Sequence, residues 1–219
     1  DDKILQFEGV SIYKDDVSNL RDDEWLNDND ISFVYELLEA YQLTKLSRKM
    51  ARRAYGKPAN PHTILLLRPS MVFLLAQSRG DEVALLKGVL PPLEKADFIF
   101  LPVNDNSDPE LVEGGSHWSL IVISILDDKA FVIDTLDAAN HREARHIVKQ
   151  VGYYLGNPSI DIEELKVPQQ INGSDCGILV SQISAILAGK LVNAKDDHTI
   201  DFTMKQYGIS AIDGRIWVM

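Results

Sequence analysis

The sequence predicts an α+β fold built as one domain over residues 1–219. Three observations predict it. Helical patterns fall before and after a cluster of strands, without the regular alternation of a βαβ chain. The cluster contains nearly unbroken apolar runs, Phe98–Val103 and Trp118–Leu126, that read as buried strands of a central mixed or antiparallel sheet. And 219 residues that are 45% hydrophobic bury a sizeable core without disulfide or metal support.

The elements follow in order. Residues 4–13 read as one or two short strands. Asp28 or Asp30 is placed to cap a helix over 31–42, with Phe33, Leu37 and Leu38 on a shared face. Residues 45–55 form a basic helical patch, read as a solvated face, and Lys57-Pro58-Ala59-Asn60-Pro61 is a loop. Ile64–Leu67 is a short strand, and Ser70 is placed to cap a helix over 71–78. A further helix spans 81–89 and stops at Pro91-Pro92. After the Phe98–Val103 strand comes a polar loop, Asn104–Gly115. Trp118–Leu126 and Ala130–Leu136 are strands joined by a turn at Asp127-Asp128-Lys129. Residues 139–155 form an amphipathic helix, Leu165–Val167 a short strand, Gly177–Leu191 a buried helix, and 199–207 a last helix.

Composition narrows the function. A formal net charge of −11 disfavours nucleic acid and anionic membranes and favours a basic partner or a basic peptide tail. No run approaches the roughly 20 apolar residues of a membrane span, and no secretory signal pattern is read. A single cysteine excludes an intramolecular disulfide framework and fits the reduced cytoplasm or nucleus. One Cys and scattered His supply no ligand cluster, so neither a metal nor a cofactor is expected.

That cysteine, Cys176, stands at the start of a buried helical pattern, within Gln170-Ile171-Asn172-Gly173-Ser174-Asp175-Cys176-Gly177. A helix N-terminus favours a thiolate, the reactive form. The plainer reading of a lone Cys is a small buried apolar residue. His117 opens an apolar strand, where it can reach a neighbouring helix end. His62, His141, His146 and His198 lack such a context. Asp134 interrupts Phe131-Val132-Ile133 and, if buried, needs a partner such as an imidazole. Counting back across a tight turn at 127–129 pairs Asp134 with about residue 122. Reaching His117 then requires a bulge, strong twist, or a His held at the strand's edge. Gln170 lies six residues before Cys176, where its amide could donate to an oxyanion. Gln169 competes for that role.

Together these segments resemble the Ulp1-type family of ubiquitin-like-protein proteases. The resemblance is carried by Trp25-Leu26-Asn27-Asp28, Gly115-Ser116-His117-Trp118-Ser119-Leu120, Asp134 and Gln170–Gly177. Leu101-Pro102-Val103-Asn104-Asp105-Asn106-Ser107, followed by Gly114–Trp118, is similar to the NEDD8-specific branch of that family. The resemblance implies a papain-like cysteine protease fold and cleavage after a modifier's terminal Gly-Gly. It implies His117, Asp134 and Cys176 as catalytic residues, with Gln170 rather than Gln169 at the oxyanion. It places Trp25 and Trp118 beside a narrow channel for the Gly-Gly tail. Asp28 then pairs with a basic residue of the substrate, with helix capping an equal reading, and the Asn104-Asp105-Asn106 loop folds over the tail. The implied partner is NEDD8 or a related ubiquitin-like modifier and its conjugates, acted on by a monomer, with no nucleic acid or membrane involved. The alternatives are a SUMO-specific isopeptidase, a non-catalytic module that binds ubiquitin-like proteins, and an acyltransferase using the same Cys.

Overall fold

The computed structural model describes residues 2–44, 62–111, 114–194, 201–204 and 207–219. The basic stretch 45–55 and the loop 57–61 lie outside them. The first strand region is a hairpin of β1 (Lys3–Phe7) and β2 (Val10–Tyr13), followed by α1 (Lys14–Ser18) and α2 (Asp28–Leu37). A π-helical turn, Leu38–Leu43, extends α2.

Neither Asp28 nor Asp30 is the N-cap of α2. Asn27 takes that place, its side chain accepting from the backbone N–H groups of Asn29 and Asp30. Asp30 returns the bond by accepting from the Asn27 N–H at 2.9 Å, a reciprocal pair that satisfies otherwise orphaned donors. Ser70 does not cap its helix either. The helix α3 (Pro69–Gln77) begins with Pro69 in its first turn, where a missing N–H costs nothing. The expected helix over 81–89 is a 3₁₀ helix, Gly80–Gly88, whose buried Val83 and Leu86 are spaced by three.

A five-stranded mixed sheet runs in the order β3 (Ile64–Leu66), β4 (Phe98–Asn104), β5 (Trp118–Ser124), β6 (Lys129–Ile133), β7 (Asp161–Leu165). The two outer pairings are parallel and the two inner ones antiparallel. The last strand lies at 161–165, not at 165–167. Its DIEEL sequence has no apolar run because it is an edge strand.

Helices cover both faces of the sheet, which is why β4 and β5 are apolar at nearly every position. On one face Phe98, Phe100, Leu120, Val122 and Phe131 pack against Ile31, Val34 and Tyr35 of α2 and against Val180, Ile183 and Leu187 of α5 (Cys176–Asn193). On the other, Ile99, Leu101, Ile121, Ile123 and Val132 pack against Val72 and Leu75 of α3 and Ala144, Ile147 and Val151 of α4 (His141–Leu155). Composition alone would let α5 cross a membrane, but two-thirds of it (67%) is buried inside this core. The helix expected over 199–207 is not found. Residues 201–204 have no regular structure, and the remainder lies partly outside the described residues. A helix not foreseen, α6 (Ala211–Val218), packs on the start of α5.

Candidate active site

The sheet and α5 bring Cys176, His117 and Asp134 together from three separate segments. Cys176 is the first residue of α5 and is 1% exposed. His117 immediately precedes β5 and Asp134 immediately follows β6. The His117 Nε2 and Asp134 Oδ1 atoms are 2.6 Å apart, both side chains being almost fully buried. The second ring nitrogen, Nδ1, is buried without a hydrogen bond of regular geometry. It is the Cys176 thiol that lies near enough to act on the ring electrostatically.

Burial is the largest influence on His117 and lowers its pKa. The hydrogen bonds and charges of Asp134 and Cys176 together outweigh it and raise the pKa to about 9. Burial likewise works against an ionised Asp134. Its bond to His117 and those from the backbone N–H groups of Asn140 and Leu136 prevail, so its pKa is lowered. The pair therefore holds a carboxylate against an imidazolium.

No bulge is needed to bring Asp134 to His117. The ladder pairs Leu120 with Ile133, so one further step sets Asp134 opposite Ser119. Ser119 and His117 share a face by two-residue alternation, and diagonal neighbours on one face lie within reach. The expected pairing with residue 122 fails because the turn comes earlier than assumed: β5 ends at Ser124 and β6 begins at Lys129, so the turn spans 125–128 and not 127–129.

Two residues fix the strand end that carries His117. The Asp105 carboxylate accepts from the N–H and hydroxyl of Ser116 and from the His117 N–H at 3.0 Å. Its pKa is lowered, because those donors outweigh burial, the largest single influence. Asp105 is thus engaged within its own loop. Asn140, 1% exposed, donates from Nδ2 to the carbonyls of Val103 and His117, while its backbone N–H donates to Asp134 Oδ2 at 2.9 Å. It ties both members of the dyad to the end of β4. Gly115, at φ 90°, is required where the loop closes. A Cβ there would lie 1.9 Å from Asn104 Oδ1.

The C-terminal catalytic domain model of the Ulp1 protease family matches residues 24–213. The chain belongs to that family. NEDD8-specific protease 2 of Schizosaccharomyces pombe is 31% identical over 95% of this chain, which spans 47% of that relative's length. NEDD8-specific protease 1 of Arabidopsis thaliana is 30% identical, with 85% of this chain and 76% of that one covered. The C-terminal Ulp1 protease domain, solved in complex with Smt3, the yeast ortholog of SUMO, superposes with a TM-score of 0.63 at 22% identity. That superposition covers 99% of this chain and 84% of the other, and supports the α+β Ulp1 fold read from the sequence.

Other expected residues of this Ulp1-family site take distinct places. Gln170 accepts from the Thr135 hydroxyl at 2.7 Å and donates from Nε2 to the Asn172 carbonyl at 2.8 Å. One N–H of that amide remains for another acceptor. Gln169 instead donates to the Asp134 and Val167 carbonyls and accepts from the Asp137 N–H at 2.6 Å. Trp118 is buried, and its indole N–H donates to the Leu26 carbonyl at 3.0 Å. Trp25, the next residue back, is 46% exposed. The backbone at Gly177 packs against Leu26 and Trp118: a Cβ there would lie 2.8 Å from Leu26 Cβ and 3.4 Å from Trp118 Cδ1. Asp28, Asn104, Asn106 and Trp118 line one cleft, with Phe73 and Leu111 among its other walls. Sequence reasoning missed Asn140, Thr135 and Arg215. Asn140 carries a cap-type signal at the start of α4, yet its side chain does not cap that helix. Arg215 is the lone basic residue of α6.

Proposed function

We propose that this chain is a cysteine protease that cuts after the terminal Gly-Gly of a ubiquitin-like modifier, with NEDD8 the preferred modifier. The observation that carries the chemistry is His117, held between the Asp134 carboxylate and Cys176, which stands at a helix N-terminus. His117, as the imidazolium, holds the proton that the thiol has given up. The thiolate attacks the glycyl carbonyl, and the Gln170 amide and backbone N–H groups receive the oxyanion. The C–N bond breaks as His117 returns the proton to the leaving amine, leaving a thioester. Water then adds, its proton passing through His117, to release the modifier's carboxylate and restore the thiol. The choice of NEDD8 is supported by relatives named NEDD8-specific protease at about 30% identity.

A panel of fluorogenic C-terminal reporters of NEDD8, SUMO and ubiquitin tests this reading. The NEDD8 reporter should show the highest kcat/KM. Faster turnover of the SUMO reporter at moderate salt would overturn the modifier, and inertness toward all three would overturn the protease.

Gln170→Ala should lower kcat by roughly 10²–10³, the loss typical of one oxyanion donor. Gln169→Ala, which removes only bonds within the neighbouring loop, should cost far less. The reverse ranking in reporter kinetics would move the oxyanion role to Gln169.

A further inference from the structure

Arg215 lies on α6, outside the dyad, and is 3% exposed. A guanidinium loses much hydration when buried, so its partners report its role. It has three. One nitrogen donates to the Asn19 carbonyl at 2.9 Å, and another to the Glu24 carbonyl at 2.9 Å and to Asp175 Oδ1 at 3.0 Å. Asp175 directly precedes Cys176 and occupies the N-cap position of α5, but its side chain makes no capping bond. Glu24 directly precedes Trp25. Arg215 therefore joins the residue before the thiol to the segment that carries Trp25.

The approach of α6 is close. A Cβ on Gly214 would lie 2.9 Å from Ile178 Cγ1, on the first turn of α5. Leu26, Ile178 and Leu179 form a small core with Ala211 and Val218 beneath this contact. The α6 backbone is thus seated on α5 by packing, and Arg215 adds a charge where packing alone would do without one.

That charge has an electrostatic consequence. The N-terminus of α5 presents partial positive charge, which supports a thiolate on Cys176. A bare carboxylate on Asp175, one residue away, would oppose it. Among the described residues, the charged groups on the sheet side of the thiol are His117 and, behind it, Asp134, and on the α6 side Asp175 and Arg215. We propose that Arg215 is a positioning residue that acts through Asp175, cancelling its charge beside Cys176. The inference rests on Cys176 being the nucleophile.

The test compares wild type, Arg215→Met, Asp175→Asn and the double variant. The readout is the rate of Cys176 alkylation by iodoacetamide at pH 7, with circular dichroism to verify folding. There is no second cysteine to react. Arg215→Met should slow alkylation by roughly 3–10-fold, because the carboxylate is left uncompensated. Asp175→Asn should react at least as fast as wild type. The double variant should recover to within about twofold of wild type, since removing the carboxylate removes the need for its partner. A merely structural arginine would show no such rescue. Wild-type reactivity in Arg215→Met, slower reaction in Asp175→Asn, or a double variant as slow as Arg215→Met would each overturn the proposal. If Arg215→Met does not fold, the double variant should, and its failure to fold would equally overturn it. A wild type that is alkylated readily but inert on every diglycine reporter would sink the protease reading and leave this inference standing.

Discussion

Cys176→Ala is expected to abolish turnover of a diglycine reporter, by roughly 10⁴-fold or more, while leaving modifier binding intact. Nothing else in the chain supplies a thiol. In the proposed mechanism the thiol carries the covalent step, so its loss removes the pathway and does not merely slow it. Binding is a different matter. One sulfur is a small part of any surface that could hold a modifier, and Cys176 is buried in the core cluster with Trp118 and Val180. Alanine fills much of that space and adds no polar group. Calorimetry of the variant with the modifier should give an affinity close to that of wild type. Comparable turnover by the alanine variant would show that the chemistry runs elsewhere.

His117→Ala is expected to be nearly as damaging, with Asp134→Asn somewhat less so. Residues acting as one unit lose most of their joint effect when any member goes. Asparagine at 134 keeps an acceptor for the ring but removes the charge that opposes the imidazolium. The same pair sets a pH signature. The folded pKa of His117, about 9, lies above the ordinary 6.5. Its stabilising contribution is therefore fully present below about pH 6.5 and lost as pH rises through about 9. Asp134 is shifted the other way, so its contribution is present above the ordinary carboxylate range and lost as pH falls below it. The Tm difference between wild type and His117→Ala should shrink as pH climbs through about 9. A difference that grows over that range would contradict the pairing.

Much of this was legible in the sequence, and the exceptions share a cause. Segments whose burial is set by their own residues read correctly: β4, β5 and α5 are apolar along their length. Cys176, His117 and Asp134 stood out because each breaks an apolar pattern or opens one. What could not be read were features decided by a partner far away in sequence. DIEEL is a strand because it pairs with β6. The C-terminal α6 holds its place by packing on Ile178 and Leu26. Asn140 and Arg215 look like ordinary surface residues until Val103, His117 and Asp175 are brought beside them. The Asn27 cap was misassigned to its acidic neighbours because all three side chains offer the same acceptor.

The register between β5 and β6 gives the turn at residues 125–128 a role beyond joining two strands. That turn lies a full strand's length, roughly 20 Å, from the dyad. Yet it sets which residue Asp134 opposes. Adding or deleting a single turn residue would slide one strand past the other by one position, and every later side chain of β6 would change face. Asp134 would then point away from His117, with both residues still present and the core composition unchanged. Substitutions in the turn are thus tolerable in a way that changes of its length are not. Among relatives of this chain, insertions should accumulate almost anywhere on the surface before they appear there.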